Sequence, residues 1–254
     1  MKDKIIKYFT DEDRDEAVNL YERYVLAKEK NITMFGKNFY TPNVWNWFEN
    51  NLNSNYFKVE SNGLFEDSER RMVSFNNINK SPFPIKLLKI QNTSKFSALT
   101  HRDFLGAILS LGIERNKIGD LLVSENTCYL PIHEEIESFI ICNLERISKV
   151  KCDVEIIDKV EFLPKFTFKE EIVLVSSLRI DGIVSKIINV SRAKAQGMIE
   201  QGQVLVNYVK IKEKSYELKS EERITIRGFG KFILGNSIGN TKSGKLKIII
   251  KKYT

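Results

Sequence analysis

The chain has 254 residues, 42% of them hydrophobic and 29% charged, with a formal net charge of +7. This is the composition of an ordinary globular protein, long enough for two or three domains with separate cores. The chain's apolar runs, such as residues 139–142 and 248–250, fall far short of the roughly 20 residues a membrane-spanning helix needs. No signal-peptide apolar segment follows Met1, so a cytoplasmic protein without a membrane partner is expected.

Charge divides the chain unevenly. Residues 174–254 hold 16 Lys and Arg against 6 Asp and Glu, whereas residues 1–173 hold 24 against 27. A basic module joined to a near-neutral body is the footprint of a protein that docks on a polyanion through one end. Cys128, Cys142 and Cys152 form no CxxC pair and are odd in number, so buried reduced thiols are expected, with no disulfide framework and no metal.

Residues 1–81 form an expected N-terminal α+β domain. Thr10 with Asp13 resembles a capping box, opening a helix with a stripe of Ala17, Tyr21, Tyr24 and Val25. Thr41-Pro42 opens a second helix with Trp45, Phe48 and Leu52 on one face. Aromatics at helical spacing are core more often than a base-stacking platform. Strands are expected at 56–60 and 71–75, around the acidic turn Glu66-Asp67-Ser68-Glu69.

Ser81-Pro82-Phe83-Pro84 marks a boundary, and residues 82–171 form the expected middle domain. Residues 85–90 read as a strand. Thr100 then caps a helix, with Asp103 at its third position, a buried face of Phe104, Leu105, Ile108 and Leu109, and a stop at Gly112-Ile113. Strands at 121–123 and 128–130 follow; a helix is expected to start at Pro131 and carry Ile136, Phe139, Ile140, Leu144 and Ile147, with His133 at its surface. A closing strand at 154–160 completes a β-α-β-β-α-β order, which is ferredoxin-like and shared with RRM domains. Residues 127–130 offer one ring and no basic-Gly pair, so the RRM signal is weak. The segment holds 12 basic against 14 acidic residues, which fits a scaffold touching RNA or protein at a few points. Leu163-Pro164 to Glu171 reads as a linker.

Residues 174–254 form the basic domain, with short helices at 179–188 and 192–201, a strand pair around Asn207-Tyr208, and strands near 223–227, 231–234 and 246–251. Ser191 is a good N-cap, yet the turn it opens holds Arg192 and Lys194, where the helix dipole favours acids. Such a placement costs a few tenths to about 1 kcal/mol, and a cost kept at a helix start suits phosphate gripping. Against a merely solvated charge pair stand the neighbouring clusters: Arg179, Arg227-Gly-Phe-Gly-Lys231 and Lys242-Ser-Gly-Lys245. Ala195, Met198 and Ile199 pack this helix inward, leaving Arg192 and Gln196 one turn apart to meet RNA together. Asn207 and Tyr208 serve the hairpin turn first and RNA second.

The blocks Leu178-Arg-Ile-Asp181, Ser191-Arg-Ala-Lys-Ala195 and Gly202-Gln-Val-Leu-Val-Asn207 resemble those of the S-four domain, an alpha-L RNA-binding fold. The stretch from Thr100 to Ala107, with Leu111-Gly-Ile113, Ile118-Gly-Asp120, Arg227 to Phe232 and Gly239 to Gly244, is similar to the bacterial YlmH-type proteins. Glu221-Glu222 stands where that pattern has a Gly-Asp turn, and Gly182 replaces a larger residue. The resemblance implies three small domains, α+β overall. It implies a monomeric, non-enzymatic factor that binds large-subunit ribosomal RNA in contact with tRNA or peptidyl-tRNA, in ribosome-associated quality control, helping to add C-terminal tails to stalled nascent chains. Arg179, Ser191, Arg192, Lys194, Gln196, Asn207, Arg227, Lys231, Lys242 and Lys245 are the candidate RNA contacts, with His101 and Arg102 as secondary ones.

Two alternatives stay open: a ribosomal RNA-modifying enzyme with an S-four targeting domain, and a protein-interaction scaffold. No second Arg-Leu-Asp-like block with a Thr/Ser-Gly turn suggests pseudouridine chemistry, and Gly228, Gly230 and Gly235 miss GxGxxG spacing. His101 and Asp103 point to different helix faces. No catalytic residue and no cofactor are therefore expected.

Overall fold

Two helices begin the chain, α1 (Lys2–Tyr8) and α2 (Glu12–Lys30). The computed structural model describes residues 2–9, 12–94, 99–157 and 168–253. Thr10 of the expected capping box lies outside these residues. Asp13 accepts from the Thr41 hydroxyl and the Asn43 amide, both at 2.9 Å, tying α2 to the start of the next helix. α2 buries Ala17, Leu20 and Ala27, with Tyr21 and Tyr24 partly buried beside them.

After β1 (Met34–Phe35), helix α3 (Pro42–Leu52) begins with proline at its first turn, where the missing N–H has no partner to lose. It buries Val44, Trp47, Phe48 and Leu52. Trp45, expected on that face, is half-buried instead. Its indole N–H donates to the Glu69 carbonyl at 2.8 Å, and the Arg71 guanidinium lies 4.5 Å from the centre of its ring. Strands β2 (Val59–Asn62) and β3 (Met72–Phe75) complete a three-stranded antiparallel sheet with β3 central.

The next elements are β4 (Ile85–Asn92), α4 (His101–Ser110), β5 (Leu122–Ser124), β6 (Thr127–His133), α5 (Glu137–Asn143), β7 (Arg146–Ile147) and β8 (Val150–Ile157). Their sheet runs β5-β6-β4-β8-β7, antiparallel throughout. Apart from the short β7, this is the ferredoxin-like arrangement. Leu88, Ile90, Phe104, Ile108, Leu130, Ile132 and Ile140 fill its core. At the start of α4, the Thr100 amide and hydroxyl both donate to Asp103 Oδ2, at 2.7 and 2.6 Å. Gly112, at φ +83°, supplies the left-handed turn that stops the helix.

Three expectations here are corrected. Pro131 lies inside β6, not at a helix start. In an antiparallel strand a residue's N–H and C=O point the same way, and the Pro131 carbonyl accepts from Gly119 on the side away from β4. The missing N–H therefore takes nothing from the β4 ladder. His133 ends that strand and is buried, its Nδ1 accepting from the Glu135 amide at 3.2 Å. Cys142 is exposed, unlike the buried Cys128 and Cys152. The closing strand is Val150–Ile157; residues 158–160 of the expected strand lie outside the described residues.

Contacts divide the chain into two units, Met1–Lys165 and Phe166–Thr254. The expected break at Ser81-Pro82 lies inside the first, whose two cores are bonded to each other. Asp120 Oδ2 accepts the amides of Glu69 and Arg70 at 2.5 and 2.8 Å, the Phe39 amide donates to the Asn116 carbonyl, and the Asn116 side chain donates to Glu16 at 3.0 Å. Arg115 donates to the Ile118 and Gly119 carbonyls. Burial, with Arg70 nearby, pushes its pKa down to about 10.

The second unit contains β9 (Phe168–Val175), α6 (Ile180–Ile187), α7 (Arg192–Glu200), β10 (Val204–Val206), β11 (Val209–Lys210), β12 (Arg223–Ile226), β13 (Gly230–Asn240) and β14 (Leu246–Tyr253). Residues 168–171 of the expected linker belong to β9 and pair with β14, and its residues 163–167 lie outside the described residues. The antiparallel sheet runs β11-β10-β12-β13-β14-β9. Ile180, Ile183 and Val184 of α6 and Ala195, Met198 and Ile199 of α7 share a core with Val204, Ile224, Ile226, Leu234 and Ile248 from the strands.

Candidate nucleic-acid interface

Helix α6 is anchored at its start by backbone bonds to residues 216–218. The Ile180 amide donates to the Tyr216 carbonyl and the Leu218 amide to the Leu178 carbonyl, both at 2.9 Å. Because Ile180, Ile183 and Val184 all face the core, Asp181 in the first turn is drawn in with them, and its side chain has 0% exposure. A buried carboxylate needs partners for its lone pairs. Arg192 supplies Nε and Nη2 at 3.0 and 2.9 Å, and Arg179 supplies Nε and Nη2 at 3.3 and 3.2 Å. Gln196 Nε2 and the Gly182 amide add bonds of 2.8 Å each.

Burial by itself works to raise the Asp181 pKa. The bonds from Arg192, Arg179 and Gln196 outweigh it and hold the carboxyl well below the usual carboxylate range. The same bonding raises the Arg192 pKa. The two arginine side chains remain 38% and 55% exposed. A guanidinium has five N–H donors, so each keeps donors beyond the two it gives to Asp181. The result is a fork held by a buried anion and presented to solvent.

Ser191 caps α7, its hydroxyl accepting from the Lys194 amide at 3.2 Å, and the first turn holds no acidic residue. Arg192 and Lys194 are exposed there, while Ala195, Met198 and Ile199 turn inward. Arg192 and Gln196 do come together as their spacing suggests, but around Asp181. Asp181 as the organiser escaped the sequence reading. The available signal was an acid two residues after Arg179 inside an otherwise apolar helix face.

The other candidates are more dispersed. Asn207 and Tyr208 take positive φ, 46° and 69°, in the two-residue turn between β10 and β11. The Asn207 side chain accepts from the Arg223 amide and donates to Glu222. Arg227 and Lys231 are exposed around the β12–β13 turn, where the Arg227 amide donates to the Gln203 carbonyl just past α7. Lys242 and Lys245 are exposed at the opposite end of β13. At about 3.3 Å per residue, that strand separates the two pairs by up to roughly 30 Å. In the first unit, His101 and Arg102 are exposed in the first turn of α4. On the outer face of that unit's sheet, Tyr129 lies across from Lys89, whose ammonium Glu155 holds at 2.6 Å. An acidic group thus stands near the ring where an RRM would present further aromatics.

The family described as a putative RNA-binding domain in YlmH matches residues 79–161, and the S4 domain matches residues 178–224. The chain pairs a YlmH-type RNA-binding domain with an S4 domain. A protein of Bacillus subtilis strain 168 named ribosome-associated protein quality control protein P2 is 29% identical over 174 residues, covering 68% of each chain. The solved structure of the cell division protein ylmH from Streptococcus pneumoniae is 25% identical, with a TM-score of 0.50 over 61% of this chain and 97% of that one. The S4 match contains the Asp181 fork and stops before Arg227, so the β12–β13 turn and the strands after it extend the S4 domain. The YlmH-type domain contains the ferredoxin-like half of the first unit. Among the described residues, no group of three or more His, Cys, Asp or Glu is arranged to hold a metal, and no helix is long and apolar enough to cross a membrane.

Proposed function

We propose that this chain is a non-enzymatic RNA-binding factor that docks on the large ribosomal subunit through its S4 domain. There it contacts ribosomal RNA and tRNA or peptidyl-tRNA, and it assists C-terminal tailing of stalled nascent chains. The observation that carries the reading is the fork at Asp181. Two arginines fixed on one buried carboxylate, beside the basic first turn of α7, form a pre-ordered phosphate grip. Preorganisation lowers the entropy lost when long side chains bind. The RNA-binding domain matches, and the name of the Bacillus subtilis relative, support the ribosome as the place where that grip is used.

Co-sedimentation with large subunits tests the site. Lys194→Glu, in the exposed first turn of α7 and outside the Asp181 fork, weakens it by about tenfold or more while circular dichroism shows an intact fold. Undiminished sedimentation of that variant refutes the assignment. Loss of C-terminal tails from a stalled reporter in cells lacking the protein tests the tailing role.

A further inference from the structure

The β12–β13 turn carries a group that the phosphate grip leaves unused. The Phe229 amide donates to the Ile226 carbonyl at 3.0 Å, and Gly228 has φ +83°, which makes residues 226–229 a type II turn. Such a turn requires glycine at its third position and asks for no aromatic at its fourth. Phe229 is nevertheless 43% exposed, between exposed Arg227 and Lys231. Its neighbours leave it room: a Cβ built on Gly228 or on Gly230 meets nothing within 4 Å. Those glycines serve the backbone, at φ +83° and +120°, and fill no packed space. The turn is fastened beside the C-terminal end of α7 by the bond from the Arg227 amide to Gln203. It therefore lies past the C-terminal end of α7, a helix about 13 Å long whose other end carries Arg192.

We infer that Phe229 is a base-stacking residue that takes an unpaired RNA base against its ring while Arg227 and Lys231 hold the adjoining phosphates. An exposed ring in an open, basic setting suits a nucleobase, because every base offers a π face and its backbone is anionic. The net excess of ten positive charges over residues 174–254 favours RNA over an apolar protein surface. This rests on the RNA-binding reading above and adds to it a preference for unpaired nucleotides.

The test uses the full chain and two RNA hairpins whose stems are closed by the same non-nucleotide linker, one stem with a single bulged adenosine and one fully paired, followed by fluorescence anisotropy. Phe229→Leu keeps an apolar side chain and removes the ring. It weakens binding to the bulged hairpin about tenfold and leaves the paired hairpin unchanged. Phe229→Trp retains wild-type affinity, and its added emission is quenched by the bulged hairpin alone. Equal binding of the bulged hairpin by wild type and Phe229→Leu overturns the stacking role while leaving the phosphate grip standing, as does equal quenching by both hairpins. A wild-type protein that binds neither hairpin overturns both readings.

Discussion

Replacing Asp181 with asparagine sets charge and position against each other. The change removes one negative charge from a cationic surface, so a purely electrostatic account predicts tighter RNA binding. A phosphate on the outer side of the arginines would sit roughly 7 Å from that carboxylate, and through a water-like dielectric the gain would be about 0.6 kcal/mol. Against it stands the loss of the anchor for Arg179 and Arg192, which now hold fixed positions on one carboxylate. Ordering two such side chains on binding costs about 0.5–1.5 kcal/mol each. The net expectation is weaker binding, by about tenfold. The buried Asn amide would also face guanidinium donors, lowering stability by about 1–3 kcal/mol. Anisotropy titration against an RNA hairpin, with a urea melt of the same sample, measures both effects. Affinity equal to or tighter than wild type, in a variant that remains folded, would refute the positioning argument.

Salt dependence separates the dispersed cations: Arg227→Ala lowers the slope of log affinity against log salt by about 1 if a phosphate is held there. Lys242→Ala, made at the far end of β13, reports in the same titration whether the bound RNA reaches that turn. Ser191→Ala removes the hydroxyl that caps Lys194 and costs about 1 kcal/mol in a urea melt. Burial lowers the His133 pKa below its ordinary 6.5. The unfolded chain then takes up that proton first, so the contribution is present above pH 6.5 and lost as pH falls through the lowered value. His133→Gln flattens this part of the stability profile, measured by denaturant melts between about pH 7.5 and about pH 5.

Local signals in the sequence located many of the elements. Thr41-Pro42, Thr100 with Asp103, Gly112, Ser191 and Asn207-Tyr208 each act within one turn of chain, and each marks an observed boundary. Reading failed where a distant segment decided the outcome. Proline suggested a helix start at 131, but which side of β6 faces β4 is set by pairing with residues 85–91. Trp45 and Trp47 differ in burial because Glu69 and Arg71 engage the first from across the sequence. Arg179, Arg192 and Lys194 were legible one by one as cations. The carboxylate that joins Arg179 to Arg192 was not, since an eleven-residue separation from Asp181 to Arg192 carries no periodic signal.

Among the described residues, strand β9 has a single neighbour in its sheet, β14, and residues 176–245 separate the two in the chain. During synthesis the first strand of this unit waits for the last before it gains a partner. Until then Ile172 and Leu174, still 60% and 43% exposed after pairing, belong to an open apolar edge of the kind that recruits other chains. A product truncated before residue 246 would lack Ile248 and Ile250 from the core that holds α6 and α7, and would leave β9 without its partner strand. The core that positions the phosphate grip is thus complete only when the strand farthest along this unit has been made.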